Sequence, residues 1–269
     1  MLRPFELAMI GGPWGRRLAP RRAWIDELPW NEPLPQDAAG ARLVWTRTAF
    51  SEYASAAAFA EIAAALLAAG APIDLVAAAG DFVVDEIVHT EVAARLAAAL
   101  GGAMALDVDL GRLVRPPTPV AARDPLLAAA ELLVRTSCVG EALTVPILKL
   151  SRLVAGSTLV DAALTAIVGD EASHAQIGWW FLDWAEPRLD DAARRHLGEV
   201  ASTAIHGFAP LLSGNCRHSG LGAVACDRYD GAFTAALASA VVRPLAARGI
   251  TVSVSDLLPA EPTAAGASA

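Results

Sequence analysis

Two short segments of the chain repeat the same arrangement of acidic residues and histidine. Residues 85–89 read DEIVH and residues 170–174 read DEASH, so each segment places a glutamate three residues before a histidine. Residues three apart on an α-helix lie on the same face. Carboxylate oxygens together with imidazole nitrogens suit iron or manganese better than soft metals. If both segments are helical, the repeat predicts two halves of a metal site.

A single glutamate precedes each repeated segment at a similar distance. Glu52 in FSEYAS lies 34 residues before Glu86, and Glu141 in CVGEAL lies 30 residues before Glu171. Four carboxylates in an apolar core would lose their hydration and repel one another, and two divalent cations would remove that cost. The predicted metal ligands are therefore six side chains, namely Glu52, Glu86, His89, Glu141, Glu171 and His174.

Four alanine- and leucine-rich segments carry these residues, and glycine or proline separates them. The pattern predicts helices over about 48–69, 74–100, 124–154 and 157–185. At a rise of about 1.5 Å per residue, the two glutamates of each hairpin return to a similar height after the turn. The Pro/Gly-rich segment 101–121 is long enough to connect the two hairpins across a bundle.

Two helical hairpins joined by one long connection have the connectivity of ferritin-like bundles. We therefore predict an all-α fold with additional C-terminal helices. The predicted organisation is an N-terminal extension at 1–45, a ferritin-like four-helix bundle at 46–186, further helices packed on it at 187–258 and a disordered tail at 259–269.

The residues of the two hairpins resemble the ferritin-like superfamily, in particular small bacterial proteins with EYAS-, GE- and DExxH-type segments. The resemblance covers about residues 45–186. It implies that the aspartate before each motif glutamate holds the histidine of the opposite helix, a role that falls to Asp85 and Asp170. Many relatives carry arginine just before the motif histidine, whereas this chain has Val88 and Ser173, so a salt bridge from that position is missing.

The same resemblance implies two iron ions, with Mn/Fe or Mn/Mn as alternatives, and O2 as co-substrate. The leading expectation is a non-haem di-iron enzyme that oxidises a small organic molecule, with Thr144, one turn beyond Glu141, as a candidate catalytic residue. Where radical-generating relatives carry tyrosine, this chain has Ala93 and Gly178, and these small residues are expected to leave room for a substrate. A ferroxidase or iron-handling protein and a metal-stabilised binding module remain as alternatives.

Composition and charge narrow the range of partners. The net charge of −8 argues against a nucleic-acid partner, because phosphate binding normally needs a basic face. Glu61, Arg95 or glycine and proline interrupt the apolar stretches before they reach the ~20 residues of a membrane span. No secretory signal is recognisable. We therefore expect a cytoplasmic protein that binds a small molecule and has no membrane partner. A homodimer is one possible assembly.

Other residues of metal-binding types fit a metal site less well. Glu61 lies about 13.5 Å along a helix from Glu52, which is too far to share its metal. Three cysteines do not make a disulfide framework, so reduced thiols are expected. Cys216, His218 and Cys226 form an incomplete zinc set, since no fourth ligand is evident.

Overall fold

A computed structural model describes residues 2–35, 38–213, 220–254 and 257 of the chain. These residues are mostly helical, which confirms the all-α class. The strands within the described ranges are β1 (Arg3–Pro4) and β2 (Asp107–Val108), which form one antiparallel pair. The predicted tail at 259–269 lies outside the described residues.

The α-helices of the described chain are α1 (Gly12–Asp26), α2 (Ala39–Ala68), α3 (Ile73–Ala99), α4 (Pro125–Leu133), α5 (Ala142–Leu153), α6 (Thr158–Ala185), α7 (Asp191–Ser213), α8 (Cys226–Ala236) and α9 (Arg243–Ala247). π-Helical segments at Val134–Glu141 and Leu237–Val242 join α4 to α5 and α8 to α9 without a break. Short 3-10 helices lie at Leu110–Arg112, Ala121–Arg123 and Glu186–Arg188.

Most helix ends lie within a few residues of their predicted positions, with two exceptions. Helix α2 starts at Ala39 and not near residue 48, and α1 was not predicted at all. In the added turns of α2, Trp45 is buried and the Thr46 hydroxyl donates to the Arg42 carbonyl at 2.7 Å. Burial of Trp45 therefore accompanies the extension of this helix beyond its alanine-rich part.

Glycines in the left-handed conformation end the first helix of each hairpin. Gly70 has φ of +63° between α2 and α3, and Gly156 has φ of +64° before α6. Glycine accepts this conformation without a Cβ penalty and commonly follows a helix C-terminus. Ser157 then caps α6, because its hydroxyl accepts from the Val160 N–H at 3.3 Å. Both predicted turns are thus present.

The two hairpins pack against each other. Helix α2 contacts α3 and α4, and α6 contacts α3, α4, α5 and the first π-helical segment. Helix α1 lies against α3, while α8 contacts α5 and α7. Elements from both hairpins therefore surround a common interior.

That interior contains two apolar clusters with a polar layer between them. On α2, Ala49 belongs to one cluster and Phe59 to the other, with Glu52 between them. On α6, Ile167 belongs to the first cluster and Ile177 to the second. The acidic and histidine residues of the repeated motifs occupy the layer between the clusters, where apolar side chains exclude water on both sides.

Helix α2 is long and apolar enough, by length and composition alone, to cross a membrane. A core helix of a bundle meets the same criteria, and α2 packs against α3 and α4 and carries the buried Glu52. One such helix is weak evidence for a membrane span. The absence of a membrane partner stays a prediction.

The cysteines differ from their expected state. Cys226, at the start of α8, forms a disulfide, so the expectation of reduced thiols is wrong for this residue. Cys138 is free and buried, and burial raises the pKa of its thiol. Cys216 and His218 of the incomplete zinc set lie outside the described residues. An odd cysteine count does not reveal which side chains a fold brings together.

Candidate metal centre

The predicted ligands come from four helical segments and are all buried. Glu52 lies on α2, Glu86 and His89 on α3, Glu141 at the end of the π-helical segment, and Glu171 and His174 on α6. Each Glu-x-x-His pair lies on one face of its helix, as a three-residue spacing requires. The motif residues of α3 and α6 face each other.

Four of these side chains meet closely. Glu52, Glu86, His89 and Glu171 each offer a ligand atom, and these atoms all lie within 4.8 Å of one another. His174 joins them, because its Nδ1 lies 2.9 Å from Glu86 Oε1 and 3.1 Å from Glu171 Oε2. Side chains separated by more than 100 residues in sequence therefore converge at one point.

Glu141 lies beside this group. Burial raises the pKa of the Glu141 carboxyl well above its ordinary value, and the negative charge of Glu171 raises it further. The nearby His174 acts in the opposite direction. The two hairpins thus bring the carboxyl groups of Glu141 and Glu171 close enough for their charges to interact.

Each imidazole uses its two nitrogens differently. His89 Nδ1 lies 3.2 Å from Glu171 Oε1, while its Nε2 lies 3.2 Å from Asp170 Oδ2. His174 Nε2 lies 3.5 Å from Asp85 Oδ2. Each motif aspartate therefore contacts the histidine of the opposite helix, which is the pairing that the resemblance implies. In the neutral imidazole, donation through Nε2 leaves the Nδ1 lone pair facing the glutamates.

Burial and crowding oppose the ionisation of three glutamates. Burial raises the pKa of Glu86 well above its ordinary value, and the carboxylates of Glu171 and Glu52 raise it further. The pKa of Glu52 is also raised, first by burial and then by Glu171. Without cations, these carboxyl groups therefore tend to retain protons.

The pKa shifts of Glu171, His174 and His89 favour the charged forms, in which the carboxylate pairs with the two imidazoles. Burial opposes the charge of Glu171, but the hydrogen bond from His174 and the His89 imidazole, whose Nδ1 lies 3.2 Å from Oε1, outweigh burial and lower the pKa of Glu171 to about 2. Burial also disfavours charged His174, but hydrogen bonds with Asp85 and Glu171 raise its pKa to about 10. The pKa of His89 is raised well above its ordinary value, because Asp170 and Glu171 outweigh burial.

Buried polar atoms without hydrogen bonds test whether the residues fit metal ions. Both carboxylate oxygens of Glu86 and the Nδ1 atom of His89 have no partner in hydrogen-bonding geometry, although His174 Nδ1 is close to Glu86. Buried unsatisfied polar atoms are costly and rare. Cations accept lone pairs from both atom types. The buried group of Glu52, Glu86, His89 and Glu171 could therefore hold a metal ion.

An arginine that the sequence reasoning missed lies behind one half of the site. Arg21 of α1 donates one NH2 group to Asp85 Oδ1, and its other NH2 group donates to Asp81 Oδ1 at 2.5 Å. Asp85 is the residue whose second oxygen contacts His174. Val88 and Ser173 place no cation just before the motif histidines. The cation that pairs with Asp85 comes instead from α1, 64 residues earlier in the sequence.

A cavity of about 180 Å³ lies beside the cluster. Its walls come from α2, α5, α7 and α8 and include Glu52, Thr144, Ile147, Leu148 and Phe208. Thr144, the candidate catalytic residue, therefore shares this cavity with Glu52. Most of the wall surface is apolar, but Arg47 and five hydroxyl groups also line it, namely those of Thr48, Ser51, Thr144, Ser151 and Tyr229.

The expectation that Ala93 and Gly178 leave room for a substrate is wrong. Ala93 is fully buried in an apolar cluster. A Cβ on Gly178 would lie 2.5 Å from Cys138 Sγ, and the Gly178 N–H donates to Ser137 Oγ at 3.0 Å. Ser137 in turn donates to the His174 carbonyl at 2.5 Å. The glycine therefore admits the π-helical segment, and the free space lies at Thr144 instead.

No family model matches this chain, and neither does any curated protein or any solved structure. The resemblance to ferritin-like proteins therefore rests on the sequence motifs and stays a prediction.

Proposed function

We propose that this chain is a ferritin-like four-helix bundle that binds two metal ions and uses them with O2 to oxidise a small organic substrate. One observation carries the proposal: two facing Glu-x-x-His pairs direct their Nδ1 atoms at buried carboxylates, one of which has no hydrogen-bond partner. The residues that would hold the ions are Glu52, Glu86, His89, Glu141, Glu171 and His174.

Iron is the proposed metal, with Mn/Fe or Mn/Mn as alternatives. The donors are carboxylate oxygens and imidazole nitrogens, which favour these metals over soft ones. When bound, a pair of ferrous ions supplies electrons to O2. A cysteine thiolate among the ligands would favour a softer metal. Cys138 is the cysteine nearest in sequence to Glu141, but its thiol lies against Gly178 and not among the proposed ligands.

The protein's own residues orient the ligands and exclude water. Asp85 and Asp170 hold the two imidazoles through Nε2, so that Nδ1 remains available at the carboxylates. The apolar clusters on either side of the polar layer keep solvent away, which strengthens every charge interaction within it. These contacts preorganise the ligand set.

The cavity favours an organic substrate over iron as the substrate. Its volume of about 180 Å³ exceeds the ~150 Å³ of an engineered apolar cavity that binds benzene. A molecule in this space lies beside Glu52, and the Thr144 hydroxyl can donate a hydrogen bond to it. The lining residues include one carboxylate, that of Glu52, and neither imidazole nor thiol, so the cavity offers iron ions few ligands. We therefore place substrate oxidation ahead of iron storage.

Anaerobic titration with Fe(II), followed by exposure to O2, tests the proposal. We expect about two irons per chain, in line with the predicted ligand set, and consumption of O2 with a change in the optical spectrum. Continued iron uptake far beyond two per chain would instead identify an iron-handling protein. Loading without O2 consumption would identify a metal-stabilised binding module.

Ligand variants test the site itself. Glu86→Ala and Glu171→Ala are expected to prevent loading of two ions, because each removes a carboxylate from the centre of the cluster. Glu61→Ala is the matched control, since Glu61 is exposed on the same helix as Glu52. Unchanged metal stoichiometry in both ligand variants would refute the assignment.

A further inference from the structure

The two halves of the proposed metal site differ in what lies behind their aspartates. The Asp85 side chain is 14% exposed and forms an ion pair with Arg21. The Asp170 side chain is 44% exposed, and its ion pair within the described ranges is with His89 alone. The half that contains His174 is therefore supported by a second layer of charge that the half containing His89 lacks.

We propose that Arg21 is a positioning residue of the metal centre, which acts through Asp85 on His174. This inference rests on the proposed function, since it concerns the same metal site. The contacts form one chain: the Arg21 guanidinium binds Asp85 Oδ1, Asp85 Oδ2 faces His174 Nε2, and His174 Nδ1 lies among the glutamates. Arg21 itself touches none of the six proposed ligands in the described contacts.

The geometry of the guanidinium explains why it can fix the aspartate. Arg21 spans Asp81 and Asp85, which lie one helical turn apart on α3, with one NH2 group on each. A carboxylate held through Oδ1 has its rotation restricted, so Oδ2 stays toward the imidazole. Arg21 also offsets one negative charge near an acidic cluster. Outer hydrogen bonds of this kind fix ring orientation and contribute to metal affinity.

The next residue of α1 provides a matched control. Arg22 donates through Nε and an NH2 group to Glu91, both at 2.5 Å, and Glu91 also pairs with Arg95 at 2.7 Å. Arg22 therefore joins α1 to α3, just as Arg21 does, but its partner contacts neither histidine of the site. A variant at Arg22 reports the cost of loosening α1 alone.

Calorimetric titration of the full chain with Mn(II) tests the proposal. We expect Arg21→Ala to weaken binding of one of the two ions by about 10-fold, at the lower end of the range for such residues. Arg22→Ala should change neither affinity by more than about twofold. Arg21→Lys should weaken binding less than Arg21→Ala, because lysine keeps the positive charge but lacks the two NH2 groups that contact both aspartates. Circular dichroism verifies that each variant is folded.

A double-mutant cycle separates positioning from a merely structural role. In an Asp85→Asn background, Arg21→Ala should change Mn(II) affinity by less than about twofold, because the residue through which it acts is already altered. A full 10-fold effect in that background would overturn the proposal. So would an equal loss of affinity in Arg22→Ala.

The wild-type titration distinguishes failure of this inference from failure of the proposed function. If the wild-type chain binds two Mn(II) ions and Arg21→Ala binds them equally well, the role of Arg21 is wrong and the metal site stands. If the wild-type chain binds no Mn(II) or Fe(II), both proposals fall together.

Discussion

Two buried glutamates with histidine neighbours, Glu131 and Glu86, differ in how their oxygens are partnered. Glu131 Oε2 accepts from the Thr118 N–H at 2.7 Å, and Oε1 accepts from the Thr118 hydroxyl at 2.8 Å and lies 2.7 Å from His196 Nε2. Neither oxygen of Glu86 has a partner in hydrogen-bonding geometry, although His174 Nδ1 is 2.9 Å away.

The difference shows that burial and a histidine neighbour do not by themselves make a metal ligand. Donors occupy both oxygens of Glu131, so this residue ties the connection before α4 to α4 itself and to α7. Glu86 retains unused lone pairs beside three further carboxyl groups and two imidazoles. A satisfied carboxylate stabilises the fold, whereas an unsatisfied one fits a cation.

The largest difference between variants of Glu86 and Glu131 is expected in the stability that bound metal adds. Saturating Mn(II) at about 1,000 times its Kd should raise the free energy of unfolding by about 4 kcal/mol for each ion, or about 8 kcal/mol for two, since the ions bind only the folded chain. Thermal unfolding with and without Mn(II) measures the gain. Glu131→Ala should retain this gain and Glu86→Gln should lose it. An equal gain in Glu86→Gln and the wild-type chain would contradict the comparison.

Removing the satisfied carboxylate should have the next largest effect. Glu131→Ala is expected to lower the free energy of unfolding by about 3 kcal/mol, because it leaves the Thr118 N–H and His196 without their acceptor. Urea unfolding of the metal-free protein measures this loss. The decrease should be the same when metal is bound. A change below about 0.5 kcal/mol would show that Glu131 is not a structural anchor.

Substitution of Glu86 is expected to stabilise the metal-free protein, in contrast to substitution of Glu131. Glu86→Gln should raise the free energy of unfolding by about 1.5 kcal/mol, because it removes a carboxyl group that burial and neighbouring charges destabilise. The same urea experiment applies, with Glu61→Gln on the exposed face of α2 as the control. Destabilisation by Glu86→Gln would mean that the metal-free cluster is already well satisfied.

The pH dependence of the metal-free protein should show the smallest effect. The pKa values of Glu86 and His89 are raised well above their ordinary values and that of His174 to about 10, so the folded state binds more protons than the unfolded state. Stability therefore falls as pH rises above about 6.5, the ordinary pKa of histidine. Glu171, whose pKa is lowered to about 2, loses its contribution only at far lower pH.

Between pH 6.5 and 7.5 we expect the partial loss of the His174 contribution to lower the melting temperature of the metal-free protein by about 2–4 °C, or about 1 kcal/mol. Differential scanning calorimetry measures the shift. Mn(II) affinity should rise over the same range, because binding displaces protons from the ligands. A melting temperature that rises with pH in the metal-free protein would contradict the direction of these pKa shifts.

Much of the helical framework could be predicted from the sequence because it depends on local properties. Alanine and leucine favour helices, and the turns at Gly70 and Gly156 need a conformation that glycine adopts easily. Helix α1 could not be predicted in the same way. It contains Pro20 and many arginines, and its ion pairs to α3 depend on residues far along the chain.

The π-helical segment before Glu141 was also beyond local reasoning. A Cβ on Gly140 would lie 2.9 Å from the Phe208 ring, and Ser137 bonds the backbone of α6 at His174 and Gly178. Packing of α6 and α7 therefore accompanies the change in helical winding that presents Glu141. π-Helical turns often occur at functional sites, which agrees with the position of this one.

The amino-acid sequence by itself determined the helices of the two hairpins, apart from the first turns of α2 and the π-helical segment, and the presentation of each Glu-x-x-His pair on one helix face. These features follow from local backbone geometry. The tertiary structure decided which aspartate contacts which histidine, that Arg21 stands behind Asp85, and that free space lies at Thr144 and not at Gly178. These contacts join residues distant in sequence, and only the packing of whole helices sets their distances.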